Sequence, residues 1–354
     1  MNININCPIG GTGYGIAALN IIKELNKQSK VSLFHMGNPI IDNQSDYDII
    51  AECINRQADF DYNAPFLKIW HQFDLAGKIG NGKYFAYPFF ESTKFSNREL
   101  HHLKFPNHII VSSSWAKDIV LQNKIDKPIS VVPLGVDRSI FNQENFGSNN
   151  INDRYIFITV GKWEKRKSHD VILELFEKAF DTNDSVELWM VTHNPFLDEE
   201  KEQYWMDMVS NNKMKSKIKI FPRLSSQSEL ARVISYSHCG LYISRAEGWN
   251  LDLIETMSMG KPVIVTNYSA HTEFCNSDNS YLVDIDSMES AKDDLWFDGT
   301  GEWAKIGQEQ KDQIIAYMRD CYKNRILTNN NGIKTAEEFS WKNSADKLLG
   351  CMRD

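Results

Sequence analysis

The sequence predicts an α/β protein with two Rossmann-like domains, and two observations support this prediction. Short apolar segments alternate with amphipathic helical segments along most of the chain, which is typical of a parallel sheet covered by helices on both faces. The chain has 354 residues, more than one hydrophobic core usually organises. We therefore expect two domains that face each other across a cleft.

The strand patterns fall into two series, one in each half of the chain. In the first half, strands are predicted at residues 3–7, 31–34, 67–73, 108–112 and 129–134. In the second half, they are predicted at residues 155–160, 186–191, 218–221, 240–244 and 262–266. Other segments have apolar residues at helical spacing, and we predict helices there. One begins at Ile16, and the others are residues 116–122, 170–180, 227–236 and 308–324.

The domain boundary is predicted inside residues 142–153, which are rich in Asn and Gly and poor in apolar side chains. We assign residues 1–148 to the first domain and 149–338 to the second. Residues 339–354 form a terminal helix capped by Ser340, which we expect to pack back on the first domain. Residues 284–332 have no clear pattern apart from the helix at 308–324.

Composition and charge limit the class of protein. The net charge of −8 argues against nucleic acid as a partner, because phosphate backbones are bound by clustered Lys and Arg. No basic membrane patch, leader pattern or membrane-spanning apolar run is evident, so we expect a cytoplasmic protein. The six cysteines include no C-x-x-C pair, which favours reduced thiols over disulfides or zinc ligands.

Two acids stand out in the segment SRAEGWNLDLIE at residues 244–255. Glu247 directly follows a predicted strand, and Glu255 lies about one turn inside the next helix. Carboxylates suit sugar hydroxyls, and backbone N–H groups at a helix N-terminus suit a phosphate. The ligand-binding residues predicted between the two acids are Gly248, Trp249, Asn250 and Leu251. The alternative is that both acids are solvated surface groups.

Cations follow another strand of the second half, in the segment GKWEKRK at residues 161–167. Lys162, Arg166 and Lys167 come just before a predicted helix, after the flexible Gly161. A diphosphate leaving group develops negative charge as its bond breaks, and cations placed there stabilise the transition state. A solvated basic loop is the alternative interpretation.

Two features of the first half are further candidates. The glycine-rich loop at 10–15 contains Gly11, Thr12, Gly13 and Tyr14 before a helix, where backbone can approach a ligand closely. No acid follows the next strand to hold a ribose, which argues against NAD; a tight structural turn remains the alternative. His71 ends a predicted strand, where a packing role among aromatic side chains is the alternative to a functional one.

These motifs together resemble glycosyltransferases of family 4, which are retaining enzymes with the GT-B fold. The resemblance includes the two acids before GKPV at 260–263, VVPLGVD at 131–137, the cationic segment, and FSW at 339–341. It covers most of the chain outside residues 284–332. In that family the donor, a nucleotide-diphosphate sugar, binds the second domain, and the acceptor binds the first.

The resemblance also implies roles for individual residues. Glu247 would contact the transferred sugar, and Glu255 the ribose. Lys162 and Lys167 would stabilise the diphosphate, with Lys162 where the family has Arg, so bidentate phosphate contact is lost there. The roles implied for other positions are a cleft-facing His71, a loop between donor and acceptor at 11–14, and a base-binding loop at Arg223 and Leu224. Asn250 departs from the family's Gly.

The predicted reaction is sugar transfer with retention to a glycan, lipid-linked or small-molecule acceptor, without a metal or other cofactor. Closure of the cleft would exclude water. Two rival functions share the fold: a nucleotide-sugar epimerase, which needs no acceptor, and an inactive nucleotide-sugar-binding protein. A conversion of donor alone would distinguish the epimerase from the transferase.

Overall fold

The computed structural model describes residues 1–147, 154–293 and 295–353, and the chain divides into two compact units. The first unit combines Met1–Val136 with Glu338–Asp354, and the second is Asp137–Glu337. The boundary predicted between residues 148 and 149 lies outside the described residues. No helix within the described ranges is long and apolar enough to cross a membrane.

The first unit is built on a six-stranded parallel sheet. Its strands are β1 (Asn2–Pro8), β2 (Lys30–Met36), β3 (Phe66–Lys68), β4 (Tyr84–Ala86), β5 (His108–Val111) and β6 (Ile129–Val131). Its helices before residue 136 are α1 (Gly13–Asn26), α2 (Gln44–Asn55), α3 (Asn97–His102) and α4 (Ser114–Gln122). The strand order is β2-β1-β3-β4-β5-β6 with parallel neighbours throughout, as expected for strands buried on both faces.

Two predicted strands of this unit are too long, and the one predicted at 129–134 ends at Val131. The strand predicted at 67–73 ends at Lys68, and the chain then turns, with the Asp74 N–H donating to the His71 carbonyl at 3.0 Å. The apolar run continues past the strand because Ile69 is buried and the following aromatic side chains pack in a loop. An apolar run therefore reports burial here, not strand pairing.

The second unit contains a six-stranded parallel sheet and a separate hairpin. Its strands are β7 (Tyr155–Val160), β8 (Val186–Val191), β9 (Ile218–Ile220), β10 (Cys239–Tyr242), β11 (Val263–Asn267), β12 (Tyr281–Asp284), β13 (Met288–Lys292) and β14 (Asp298–Ala304). Its helices are α5 (His169–Ala179), α6 (Glu199–Asn211), α7 (Gln227–Tyr236), α8 (Leu251–Ser258), α9 (Gln308–Lys323) and α10 (Asn330–Glu338). The predicted α/β class with two parallel sheets is confirmed.

The strand order of the second sheet fixes where a ligand is expected. The order is β12-β11-β10-β7-β8-β9, so the chain winds outward in one direction from β7 and in the other from β10. Ligands of such open sheets bind beyond the carboxyl ends of the strands, at the point where the winding reverses. In this unit that point lies between β7 and β10. β13 and β14 pair with each other as an antiparallel hairpin.

The last helix, α11 (Trp341–Arg353), belongs to the first unit and packs against α1. Its predicted cap is present: the Ser340 Oγ accepts from the Asn343 N–H at 3.2 Å. Two further bonds connect this segment to the end of the first sheet. The Val136 N–H donates to the Phe339 carbonyl at 3.0 Å, and the Ser344 hydroxyl donates to the Pro133 carbonyl at 2.7 Å.

Gly135 allows this close return of the chain. A Cβ atom at this position would lie 2.2 Å from the Trp341 nitrogen and 2.4 Å from the Ser340 carbonyl carbon. Gly135→Ala should therefore lower the free energy of unfolding by about 1–3 kcal/mol, as overpacking typically does. Urea unfolding of the purified variant measures this loss.

Gly350→Ala is the matched control for this prediction. Gly350 lies in α11, and a Cβ atom there would meet nothing within 4 Å. Because Ala has a higher helix propensity than Gly, this variant should be more stable than the wild type by about 0.5–1 kcal/mol. Equal losses in the two variants would show that the contact with Trp341 is not the cause.

Candidate functional site

Charged side chains of the second unit gather beyond the carboxyl ends of β7 and β10. These strands are parallel neighbours, with Cys239 paired to Phe157 and Gly240 to Ile158. The loops that follow them therefore start at the same edge of the sheet. One loop carries the cations at 162–167 and the other carries Glu247, at the position where the winding reverses.

Glu247 is a buried carboxylate between two cations. Its Oε1 accepts from the Lys167 Nζ at 2.9 Å and from the Ser244 hydroxyl at 2.8 Å. Its Oε2 lies 2.8 Å from the Arg166 Nη1. Burial alone would raise the pKa of Glu247, but the charges of Arg166 and Lys167 outweigh it and hold the pKa below its usual range. Glu247 is therefore an anion that can accept hydrogen bonds from ligand hydroxyls.

A second buried acid, Glu164, lies among the cations of the other loop. Its Oε2 accepts from the Arg166 Nη2 at 2.7 Å, and its Oε1 lies 3.0 Å from the Lys162 Nζ. Burial opposes its ionisation, but Arg166 and Lys162 together lower the pKa of Glu164. The Arg166 guanidinium also donates to the Ala246 carbonyl at 2.7 Å. Arg166 thus joins both loops, while the Lys162 side chain remains 36% exposed.

Lys167 reaches Glu247 because residue 161 is glycine. Gly161 has a φ of +133°, and a Cβ atom there would lie 2.6 Å from the Lys167 Cδ and Cε atoms. The Lys167 Nζ is also 4.0 Å from the Asp252 Oδ2. Burial lowers the pKa of Lys167, but the Glu247 and Asp252 carboxylates raise it more, so the group stays a cation. The site therefore contains a positive charge held close to two acids.

The start of α8 is set by Asn250, which has a left-handed φ of 84°. Its Oδ1 accepts from the Leu253 N–H at 3.3 Å, and its Nδ2 donates to the His271 Nε2 at 2.9 Å. The His271 Nδ1–H then donates to the Thr266 carbonyl at 3.0 Å. Burial lowers the pKa of His271 to about 4, which agrees with a neutral ring in this arrangement. Asn250 thus has a structural reason for standing where the resembled family has Gly.

Glu255 is also a buried acid, but its surroundings differ from those of Glu247. It lies inside α8, is 4% exposed, and makes no side-chain hydrogen bond or ion pair with the residues that the structure describes. Burial, with the nearby Asp252 and Asp137 charges, raises the pKa of Glu255 well above its usual range. A buried carboxyl without a partner is costly, and ligand hydroxyls would remove that cost.

Glu255→Gln should stabilise the ligand-free protein at alkaline pH. The folded-state pKa of Glu255 is raised, so its contribution to stability is present below the unfolded pKa of about 4.5 and is lost as pH rises. Gln has no charge to bury, and we expect a gain of about 1–2 kcal/mol at pH 8 that disappears near pH 4. Urea unfolding at both pH values measures this gain in stability. An equal difference between variant and wild type at pH 8 and pH 4 would contradict the burial argument.

The candidate residues of the first unit lie beside one another. The Tyr14 ring is 4.6 Å from the His71 ring, and His71 stacks on Phe73 at 4.9 Å between centroids. The Tyr14 hydroxyl donates to the Phe89 carbonyl at 2.9 Å and accepts from the Phe89 N–H at 2.7 Å. Tyr14 therefore fixes the glycine-rich loop to the segment that follows β4. The residues before it, Gly11, Thr12 and Gly13, are exposed.

The sequence of the second unit matches a known family. Residues 141–296 match the family described as glycosyl transferases group 1. The second unit carries a glycosyltransferase domain. The chain is therefore a transferase enzyme, as predicted. No curated protein matches the chain in sequence.

Solved structures establish the fold around this glycosyltransferase domain. Sucrose-phosphate synthase from Thermosynechococcus elongatus has a TM-score of 0.73 at 14% identity, over 100% of this chain and 98% of its own. HepE from Anabaena, in complex with UDP-glucose, has a TM-score of 0.71 at 13% identity, over 100% and 99%. A glycosyltransferase from Rickettsia africae has a TM-score of 0.70 at 17% identity, over 99% and 97%. The predicted GT-B fold is confirmed.

The glycosyltransferase domain brings most of the predicted donor-site residues to one place. Lys162, Arg166, Lys167 and Glu247 form one charged cluster, and α8 carries Glu255 next to it. The predicted positions 248–250 are buried, and Leu251 begins α8. Arg223 and Leu224 follow β9, the edge strand two positions from β7, so they lie outside the charged cluster.

The sequence did not predict four side chains that complete the cluster. They are Glu164, Arg245, Asp252 and His271. An acid among three lysines and an arginine has the composition of a solvated loop. Only the adjacency of β7 and β10 shows that Glu164 and Glu247 share the Arg166 guanidinium.

Proposed function

We propose that this enzyme is a retaining, metal-independent glycosyltransferase of family 4, which transfers a sugar from a nucleotide diphosphate to a glycan, lipid-linked or small-molecule acceptor. One observation carries the proposal. An ionised Glu247 is paired with Lys167 at the point where the winding of the second sheet reverses, and Glu255 lies about one turn inside α8, which follows the same loop. This arrangement offers acids for hydroxyls and cations for a diphosphate.

The proposed roles follow from charge. Glu247 accepts hydrogen bonds from hydroxyls of the transferred sugar, and Glu255 accepts them from the ribose. Lys162 and Lys167 bind the diphosphate, with backbone N–H groups of residues 248–251 at the helix N-terminus. In the ligand-free enzyme the Lys167 charge is balanced by Glu247 and Asp252, so an incoming diphosphate replaces protein carboxylates as its partner.

The proposed step breaks the bond between the anomeric carbon and the diphosphate oxygen. The electron pair leaves with the diphosphate, where Lys162 and Lys167 stabilise the added negative charge. The acceptor hydroxyl oxygen bonds to the same face of the anomeric carbon, and its proton passes to the departing diphosphate. No charge in this step requires a divalent ion.

The first unit is proposed to bind the acceptor through His71 and the loop at 11–14. The contact between Tyr14 and His71 supports this pairing, because it places both candidate segments together. For the donor, HepE was solved with UDP-glucose and with UDP and glucose. A UDP-sugar is therefore the first donor to test.

A thermal-shift panel with UDP-, GDP-, ADP- and TDP-glucose tests donor binding. A ligand that binds only the folded state at a hundred times its Kd stabilises it by about 2.7 kcal/mol. We expect one nucleotide sugar to raise the Tm, and Glu255→Gln to reduce that shift. A panel without any shift, at millimolar ligand, would contradict the proposal.

Product analysis separates the proposed reaction from its rivals. Donor incubated alone should be hydrolysed slowly or remain unchanged, whereas an epimerase would yield the epimerised nucleotide sugar. With an acceptor, NMR should show a product with the donor's anomeric configuration, and inversion would refute retention. Activity lost with a chelator and restored by manganese would refute metal independence.

A further inference from the structure

The hairpin of β13 and β14 is attached to the loop that carries Glu247, although the proposed chemistry does not use it. The Ala304 N–H donates to the Arg245 carbonyl at 2.9 Å, and the Glu289 carboxylate lies 2.8 Å from the Arg245 Nε. Trp303 is fully buried and packs with Ala246. The second strand, β14, lies beyond residue 296, where the family match ends.

Arg245 extends from this hairpin to the turn that carries the cations. Its backbone N–H donates to the Arg166 carbonyl at 2.7 Å. Its Nη1 donates to the Lys165 carbonyl, and to the Ser168 hydroxyl at 3.1 Å. Its two terminal nitrogens lie 3.3 and 3.4 Å from the Asp170 carboxylate. One buried guanidinium thus connects the hairpin, the cationic turn and the start of α5.

Other bonds also hold the cationic turn: the Lys167 N–H donates to the Glu164 carbonyl at 3.2 Å, and the Arg166 guanidinium donates to the Ala246 carbonyl at 2.7 Å. The segment is a single 3-10 turn, Lys165–Lys167, closed by the Ser168 N–H to the Lys165 carbonyl at 2.9 Å. Ser168 then adopts a left-handed φ of 58° to begin α5. A non-glycine residue in that region needs support from its surroundings. The Arg245 side chain supplies it through the Lys165 carbonyl and the Ser168 hydroxyl.

We propose that Arg245 is a positioning residue, held by Glu289 of the hairpin, which sets the turn so that Lys167 meets Glu247. The inference rests on the proposed function, because it assigns Arg245 an effect on transfer that acts through Lys167. Only Arg can make these contacts at once, since its planar fork carries five donors. Lys in its place could hold one carboxylate but not bridge Glu289 and Asp170.

The test compares Arg245→Met, Arg245→Lys and Glu289→Gln with an exposed control, Arg154→Met. Arg154 pairs with Glu187 at the start of β7, and its side chain is 53% exposed. The measured quantity is release of nucleoside diphosphate from whichever of UDP-, GDP-, ADP- or TDP-glucose gives the largest thermal shift. Arg245→Met should lower kcat about tenfold to a hundredfold, with the donor KM changed less, because a displacement near 1 Å can cost that much.

The two conservative variants should show smaller losses of kcat. Arg245→Lys should lose less than Arg245→Met, and Glu289→Gln only severalfold, because Gln keeps an acceptor but not the charge. Arg154→Met should retain wild-type kcat. If Arg245→Met and Arg154→Met have the same kcat, the inference is overturned, even if Arg245→Met also has a lower Tm.

A double-mutant cycle with Lys167→Met gives the decisive readout. If Arg245 acts through Lys167, then Arg245→Met should not lower kcat further in the Lys167→Met background. Fold-losses that multiply would overturn the inference. Should Arg245→Met fail to fold, the same cycle with Glu289→Gln decides. A Lys167→Met enzyme with wild-type kcat would instead refute the proposed function itself, so the two failures are distinguishable.

Discussion

Glu247→Gln should reduce kcat by about a hundredfold to a thousandfold, the usual loss when one charge-stabilising group is removed from a transition state. Gln keeps the shape of the side chain and can still accept from the Ser244 hydroxyl, which is 2.8 Å away in the wild type. It lacks the negative charge that strengthens the proposed hydrogen bonds from hydroxyls of the transferred sugar. Steady-state release of nucleoside diphosphate measures the loss.

The same substitution should destabilise the protein, with a defined pH dependence. It leaves Arg166 and Lys167 buried without their shared carboxylate, a change that typically costs about 3–5 kcal/mol. The pKa of Glu247 is lowered by folding, so its contribution is complete above the unfolded pKa of about 4.5 and is lost as pH falls below it. Urea unfolding should therefore show a deficit at pH 7 that shrinks below pH 4.5.

Glu177→Gln is the control for both readouts. Glu177 belongs to the same unit and pairs with Lys213 on the surface, 3.1 Å away. Its replacement should change neither kcat nor, beyond about 1 kcal/mol, the stability. If Glu247→Gln retained kcat within twofold of the wild type, the assignment of Glu247 to the transferred sugar would have to be abandoned.

The sheets could be predicted because their strands are buried on both faces. β7 and β8 have the predicted bounds, 155–160 and 186–191, since both are largely apolar runs between polar segments. The same property made the strand predicted at 67–73 too long, because Ile69 is buried in a loop rather than a strand. Apolar runs identify buried chain, and pairing depends on partners that lie far away in sequence.

The hairpin shows what periodicity cannot reveal. Its strands are short and largely polar, and its apolar core is Trp303 against Ala246 and Ala291. Those contacts are formed with another part of the unit, so no local sequence pattern predicts them. For the same reason Arg245, although it lies two residues before Glu247, could be assigned a role only from the structure.

The acids and cations of the site were predictable as types but not as pairs. Glu247 and Lys167 each follow a strand, and parallel strands bring such positions to one edge. Which cation meets which acid depends on side-chain reach: Gly161 allows Lys167 to reach Glu247, and Lys162 pairs with Glu164. Neither pairing can be predicted from the spacing of the residues in the sequence.

Lys167→Met should lower kcat by about a hundredfold to a thousandfold, because the negative charge that develops on the leaving diphosphate would lose a buried cation. Met preserves much of the chain that passes over Gly161, so the turn should keep its shape. The Arg166 guanidinium still pairs with Glu247, which limits the cost to folding. The variant should also show a smaller thermal shift with the donor.

Lys165→Met is the matched control, since Lys165 lies in the same 3-10 turn with an exposed side chain. It removes the same charge from the same loop without touching the Glu247 pair. If the net charge of the loop attracted the donor, both variants would lose activity alike, and the loss would fade at high salt. A contact between the Lys167 ammonium and the diphosphate predicts instead that only Lys167→Met is impaired, at every ionic strength.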